Sequence, residues 1–478
     1  MRRQTLDHLL AFASGLALVA AVSPSLPAED ASAHRAQEAL SKQLTASLEA
    51  FERGGRWKES DSSILGWSCG QELQALVYLY EATGERAWLD RLFKYAETMF
   101  SNLTTNRDGF LSWRSRRYSS AFAEVHAAAT NKSKAEMTPK EQWISDAHAA
   151  RLVQDGEFRL IARNNATLDV ASTDARRPLP AVSIEAGKPF HAPFGIQLAL
   201  SSAPADGEAF ILTTRQPKDF DMAVHDGMVL MPICRAIELA ARDEVLKPAF
   251  GQRAAELLRV IETQLIPKWE KYWRETKDGG VYVFPDDPAF DPRNATMPHN
   301  QYLPLGTVQI TLYRLTGQAA YKERAAKMAS FFKSRLRLVK DHYEWRYWDD
   351  AGPWDRPLME RDKSAARAED TGHGSLDIGF VLACVENGIV FTDADLKRFA
   401  ATFVQVMWNG SLEKPTVGGW VNRNEPSRQS GNLQEWLLLG RAEPEVRRIC
   451  ERLIPAEGSV WAKAQLCWLM AAEGKSKP

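Results

Sequence analysis

Tyr80-Glu81-Ala82-Thr83-Gly84-Glu85-Arg86-Ala87-Trp88 and Tyr313-Arg314-Leu315-Thr316-Gly317-Gln318-Ala319-Ala320-Tyr321 are two copies of one corner. In each, a helical pattern stops at Thr-Gly, a short link follows, and an aromatic residue opens the next helix. Glycine just past a last turn fits a left-handed cap. Leu73, Leu76, Val77 and Tyr80 share the buried face before the first corner, and Trp88–Phe100 forms the return helix. Met228–Ala241 with Pro248–Ile266 is a looser copy. Leu376–Glu386 with Asp395–Met407 is another, and Leu433–Leu439 with Pro444–Leu453 is a short one. The terminal helices, His34–Phe51 and Val460–Ala472, supply a further pair. Helical hairpins of this kind bury their faces by stacking on neighbours. Closure of the two ends predicts a mainly α fold, an (α/α) toroid or barrel of about six helical hairpins.

The toroid is expected over residues 34–478, interrupted by an insertion over 121–220. The insertion reads helix-like around Phe122–Ala129 and Lys140–Leu152. It then turns strand-like at Phe158–Ala162, Ile196–Leu200 and Ala209–Thr213, with Gly, Pro and Asp between the runs. Residues 1–33 read as a signal peptide, with Arg2 and Arg3, the apolar run Leu9–Val22 and an Ala31-Ser32-Ala33 cleavage site. That run is short for a membrane span, so the mature chain is expected to be periplasmic or secreted. A net charge of −1 over 478 residues points to neither nucleic acid nor an anionic membrane. Five cysteines, none in a CxxC, read as core residues rather than metal ligands. No metal and no cofactor is expected.

The expected inner helices start on polar signatures. These are Trp67-Ser68-Cys69-Gly70, His225-Asp226-Gly227, His299-Asn300-Gln301-Tyr302, Asp370-Thr371-Gly372-His373-Gly374 and Ser430-Gly431-Asn432. Parallel inner helices would bring His225, His299 and His373 to one mouth. Several helix N-termini facing one space favour an anionic ligand. The bland reading is a set of caps and turns at unrelated corners. Three loops add basic and aromatic residues: Trp113–Tyr118 with Arg117, Tyr343–Trp348 with Trp345 and Arg346, and Gly418–Arg423 with Trp420 and Arg423. Aromatic faces stack on rings, and guanidinium forks pair with carboxylates.

The hairpins, the Thr-Gly corners, His225–Met228 and Pro298-His299-Asn300-Gln301-Tyr302 resemble the α/α-toroid carbohydrate-active enzymes. Within these the chain is most similar to polysaccharide lyases acting on uronic-acid polymers of the alginate or glucuronan type. The resemblance covers about residues 60–120 and 221–470 and implies β-elimination on an anionic polysaccharide. It puts Tyr302, His225, His299, Asn300 and His373 in catalytic roles, with Tyr302 as base or acid and Asn300 with His225 or His299 beside the carboxylate, and leaves base against neutraliser open. Trp67, Arg117, Asp226, Arg293, Trp345, Arg346, Glu369, Asp370, Trp420 and Arg423 would bind substrate. Hydrolysis by Glu369, Asp370 and Asp226 is the rival, since it wants two facing carboxyls. A uronate epimerase would share the scaffold, and a non-catalytic glycan binder would use the aromatic residues without the histidines and tyrosine.

Overall fold

The computed structural model describes residues 28–140, 142–144, 153, 155–164, 166–172, 179–192, 196–362 and 366–476. It is a mainly helical protein with antiparallel sheets. The expected signal peptide lies almost wholly outside the described residues.

The Thr-Gly corner forms twice, as the same device. The helix before it ends with the threonine hydroxyl donating to the carbonyl four residues back, Thr83 to Leu79 at 2.9 Å and Thr316 to Leu312 at 2.8 Å. Gly84 and Gly317 follow in the left-handed region, at φ 73° and 72°. Their N–H groups donate to Tyr80 and Tyr313 carbonyls at 2.7 and 2.9 Å. A side chain at either position would be strained, which is why glycine stands there.

The α-helices of nine or more residues among the described residues are, in order, α1 (Ala28–Gly54), α2 (Gly70–Thr83), α3 (Arg86–Ser101), α4 (Ala223–Arg242), α5 (Lys247–Val260), α6 (His299–Thr316), α7 (Ala319–Arg335), α8 (Thr371–Glu386), α9 (Asp393–Ala401), α10 (Pro444–Glu457) and α11 (Val460–Ser476). Each of the pairs α2/α3, α4/α5, α6/α7 and α8/α9 packs as a hairpin. The expected short helix at Leu433–Leu439 is instead a turn followed by a 3₁₀ segment, Trp436–Arg441, that pairs with α10. Glu435 explains the change. Its φ of 62° breaks an α-helical path, and its side chain accepts from Gln465 at 2.8 Å.

Neighbours run in a continuous series. α2 packs on α4, α4 on α6, α6 on α8, α8 on Trp436–Arg441, that segment on α11, and α11 back on α2. One small cavity of about 100 Å³ takes lining from each member, including Gln74, Met231, Thr307, Gly379, Leu438 and Trp461. The seam between α4 and α6 is tight. A Cβ on Gly227 would sit 2.5 Å from Pro304 Cβ and 2.9 Å from its carbonyl carbon. Gly227→Ala is therefore expected to destabilise the fold by ~1–3 kcal/mol through overpacking. Denaturant midpoints of the two proteins check it.

The insertion is β-rich with its own core. Ala121–Ala127, expected as helix, is a strand paired in antiparallel register with Ala209–Arg215, Phe210 facing Ala127. The alternation Phe158, Leu160, Ala162 in Gly156–Arg163 supplies the apolar face, joined by Leu168, Val170, Phe210 and Leu212. Partner strands with a shared buried face override the helical propensity of the Ala-rich segment. Of Lys140–Leu152, Trp143–Ile144 is also a strand, and residues 145–152 lie outside the described ones. The insertion is seated by two bridges, Ser115 to Phe220 and Ser119 to Phe290.

Candidate functional site

Two of the three expected histidines meet. His225, in the first turn of α4, and His373, in the first turn of α8, both lie edge-on to Trp67, with ring centroids 5.9 and 6.2 Å apart. Trp67 comes from the wide turn Leu65–Cys69 that leads into α2. Tyr118 stacks on His225 at 5.7 Å and accepts from Trp67 Nε1 at 3.1 Å. Tyr347 lies 5.7 Å from His373 and accepts from Gln301 Nε2 at 3.4 Å. The starts of α2, α4, α6 and α8 thus share one aromatic mouth.

Two polar atoms in this mouth are buried and without a hydrogen-bond partner among the described residues: His225 Nε2 and Gln301 Oε1. The other ring nitrogen of His225 is 2.9 Å from Ser62 Oγ. Burial, then the nearby Arg117 charge, lower the His225 pKa to about 3, with Asp61 opposing. His225 is therefore neutral at pH 7 and available as a hydrogen-bonding group. Arg117 and Arg367 lie over the Tyr118 and Tyr347 rings, at 5.8 and 4.5 Å. Both are exposed, and neither has a carboxylate partner among the described residues. At the edge, burial opposes protonation of His373, but the bond it donates to Asp370 at 2.6 Å and the Asp370 charge outweigh this and raise the pKa.

His299, Asn300 and Tyr302 lie behind the mouth, in the core. His299 is 1% exposed, turned toward Phe331 and Phe332 of α7 and bonded to Tyr302 Oη at 2.9 Å and Asp349 at 3.2 Å. Tyr302 is fully buried, and burial together with Asp377 and Asp349 raises its pKa well above the ordinary phenol value. A phenolate there is disfavoured, and the ring faces the core rather than the mouth. Tyr302→Phe is expected to cost ~1–3 kcal/mol, because it strands the His299 ring nitrogen. It should leave ligand binding at the mouth unchanged, as a titration of the variant would show.

Asn300 donates to Glu369 Oε2 at 3.1 Å, and Glu369 Oε1 accepts from the Asp370 N–H at 2.8 Å. Glu369 is fully buried beside the charge of Asp377, which sequence reasoning missed. Asp226 is also in the core, 2.7 Å from Lys268 Nζ and accepting from Trp269 Nε1 at 2.8 Å. The two-carboxyl arrangement that hydrolysis would need is thereby corrected, since neither Glu369 nor Asp226 faces an open site. Trp345 stacks on Trp436 in the core and donates to Asp377 at 2.9 Å. Arg346 lies near Asp349, Arg293 is exposed on another loop, and Arg423 lies 4.0 Å over Trp420. A β-bridge joins Trp420 to Asp370 at the rim.

Glu369, Asp370 and His373 bring ligand-type atoms within 4.8 Å of one another. Asn300, the Asp370 and His373 N–H groups and the Asp370–His373 contact each engage one of these atoms. Tyr118, Gln301 and Tyr347 belong at the mouth although they were not chosen as site residues. Their signal was proximity to the helix starts, and the missing information was which ring faces inward.

No protein-family model matches the chain, and no curated protein does. The matching solved structures include FlgL from Xanthomonas campestris, at 12% identity over 49% of this chain and 91% of that one, with a TM-score of 0.16. They include the flagellar junction protein FlgL from Legionella pneumophila, at 15% identity over 49% and 88%, also with a TM-score of 0.16. Superposition at that level says nothing about the fold or role of this chain. Of the residues assigned to elimination, Tyr302, His299 and Asn300 are core residues that face no open site. The reading as a polysaccharide lyase, its status as an enzyme of that kind and its alginate or glucuronan partner are corrected accordingly. An epimerase would need the same buried base, and a glycan binder would need Trp345 at the surface.

Proposed function

We propose that the chain is a ligand-binding protein whose mouth holds a small anionic molecule. On this reading the helix series closes as an α/α toroid over residues 34–478, with 121–220 as a β insertion, and the protein is exported. The shared cavity and the return of α11 to α2 support the closure. The observation that carries the function is the unpartnered His225 Nε2, buried between Trp67 and Tyr118. A buried polar atom without a partner is costly unless something fills its valence. Arg117 and Arg367 supply positive charge above the same space, and Trp67, Tyr118 and Tyr347 supply ring faces. No helix among the described residues is long and apolar enough to cross a membrane.

A thermal-shift screen of small carboxylates, sulfates and phosphates tests this, since a ligand at 100 times its Kd stabilises by ~2.7 kcal/mol. The ligand that shifts the wild type is expected to bind ~10-fold or more weakly to Arg367→Gln, the loss of one charge-assisted hydrogen bond. His225→Ala should lose the shift. A ligand that binds both variants as it binds the wild type would overturn the assignment.

A further inference from the structure

A second cavity, of about 340 Å³, opens at the root of the insertion, away from the mouth residues. Four segments build it: the turn after α3, the last residues before α4, the hairpin after α5, and the loop 284–294. Most charges on its wall are already paired. Lys271 bonds Asp108, Lys218 bonds Asp287 at 3.0 Å, Arg116 bonds Asp219 at 3.1 Å, and buried Lys268 lies 3.2 Å from Asp221. Arg107, Arg114 and Arg274 have no carboxylate partner among the described residues. Arg114 donates only to Thr104 Oγ1 at 3.3 Å, and Arg274 only to the Lys271 and Trp273 carbonyls. Asp286 is the one lining acid left over. Three guanidinium groups and one carboxylate are thus left unpaired on a wall that carries five cations and five acids in all. Phe220, Tyr272 and Phe284 line the same space.

We propose that this cavity is a second binding site, taking a small ring-bearing phosphate monoester. A phosphate monoester carries close to two negative charges at neutral pH, and its oxygens suit several unpaired guanidinium donors at once. The aromatic walls take the flat body, with ring contacts that a bare ion does not make. A cavity of this volume is the size of a small-molecule pocket. The site is independent of the mouth, because it shares none of the mouth's ring-bearing residues.

Calorimetric titration of the full chain with phenyl phosphate tests the proposal, with phenyl sulfate and inorganic phosphate as comparisons. Phenyl phosphate should bind with one-to-one stoichiometry and weaken as salt is raised. Phenyl sulfate, with one charge, and inorganic phosphate, with no ring, should each bind at least several-fold more weakly. Arg107→Gln and Arg274→Gln are expected to cost ~10-fold each, while Trp67→Ala leaves the affinity unchanged. Matched thermal melts of the variants show whether they are folded. No binding by the folded wild type overturns the proposal. So does undiminished binding by an Arg107→Gln, Arg114→Gln, Arg274→Gln triple variant, or loss of binding in Trp67→Ala.

Discussion

Lys268→Met is expected to destabilise the protein by ~3–5 kcal/mol at pH 7, the range for breaking a buried pair from one side. Lys268 is 2% exposed, and its ammonium lies 2.7 Å from Asp226 and 3.2 Å from Asp221. Methionine keeps much of the stem and removes the charge, leaving two carboxylates without their cation. The two acids respond differently to the same lysine. Burial pushes Asp226 up to about 6 against the pull of Lys268. Burial also acts on Asp221, but Lys268, Ser112 and Asn106 outweigh it and hold Asp221 below its ordinary value. Without Lys268, both acids favour the neutral form more strongly. Acids whose folded pKa is raised contribute stability below their unfolded value and lose it as pH rises through the folded one. The variant should therefore be closest to wild type near pH 4 and furthest from it near neutrality. Adding Asp226→Asn should recover part of the loss. A penalty under ~1 kcal/mol by denaturant unfolding would show that the trio is not the buried electrostatic unit described.

Replacing Glu369 by glutamine is expected to flatten the decline of stability with pH. Glu369 and Asp377 are both fully buried and close enough for the Asp377 charge to act on Glu369. Burial is the main reason that both carboxyls sit well above their ordinary values. Asp377 and Asp370 raise Glu369 further, and His373 and Asn300 oppose. The Trp345 bond opposes the rise at Asp377. Two such groups in contact hold a proton between them at neutral pH. The sign follows from linkage. The folded state binds more protons than the unfolded one above the ordinary carboxylate pKa. Stability is then full below ~4 and falls by ~1.4 kcal/mol per pH unit for each proton retained, until the folded pKa is passed. Glutamine still accepts from Asn300 and carries no proton to lose. The difference between wild type and Glu369→Gln should grow in the variant's favour from pH 5 to pH 9, reaching several kcal/mol by the same slope. Parallel stability curves would mean that the pair does not share a proton.

Local chemistry made the hairpins readable. A glycine cap has a conformational requirement that few other residues meet, so Thr83-Gly84 and Thr316-Gly317 announce their corners in sequence. The meeting of His225 and His373 followed from placing each in a first helical turn. What failed depends on contacts far apart in the chain. His299 also stands in a first helical turn, as the opening residue where His225 and His373 are third, and Phe332 at 4.9 Å and Asp349 draw it into the core. Asp226 neighbours His225 in sequence yet points to Lys268, on the segment that follows α5. The strand at Ala121–Ala127 owes its form to Ala209–Arg215, a partner beyond the reach of any local window. Tyr302 read as chemistry because its burial, set by the packing of α4 and α8 on α6, leaves no trace in Pro-His-Asn-Gln-Tyr.

The mouth is tested most directly by histidine-labelled nitrogen NMR during titration with the ligand that the screen selects. The ring nitrogens of His225 and His373 are expected to shift together with ligand occupancy, and those of core-bound His299 to stay in place. Saturable binding that leaves His225 unmoved, or that moves His299 alone, would contradict a ligand site built on these helix starts.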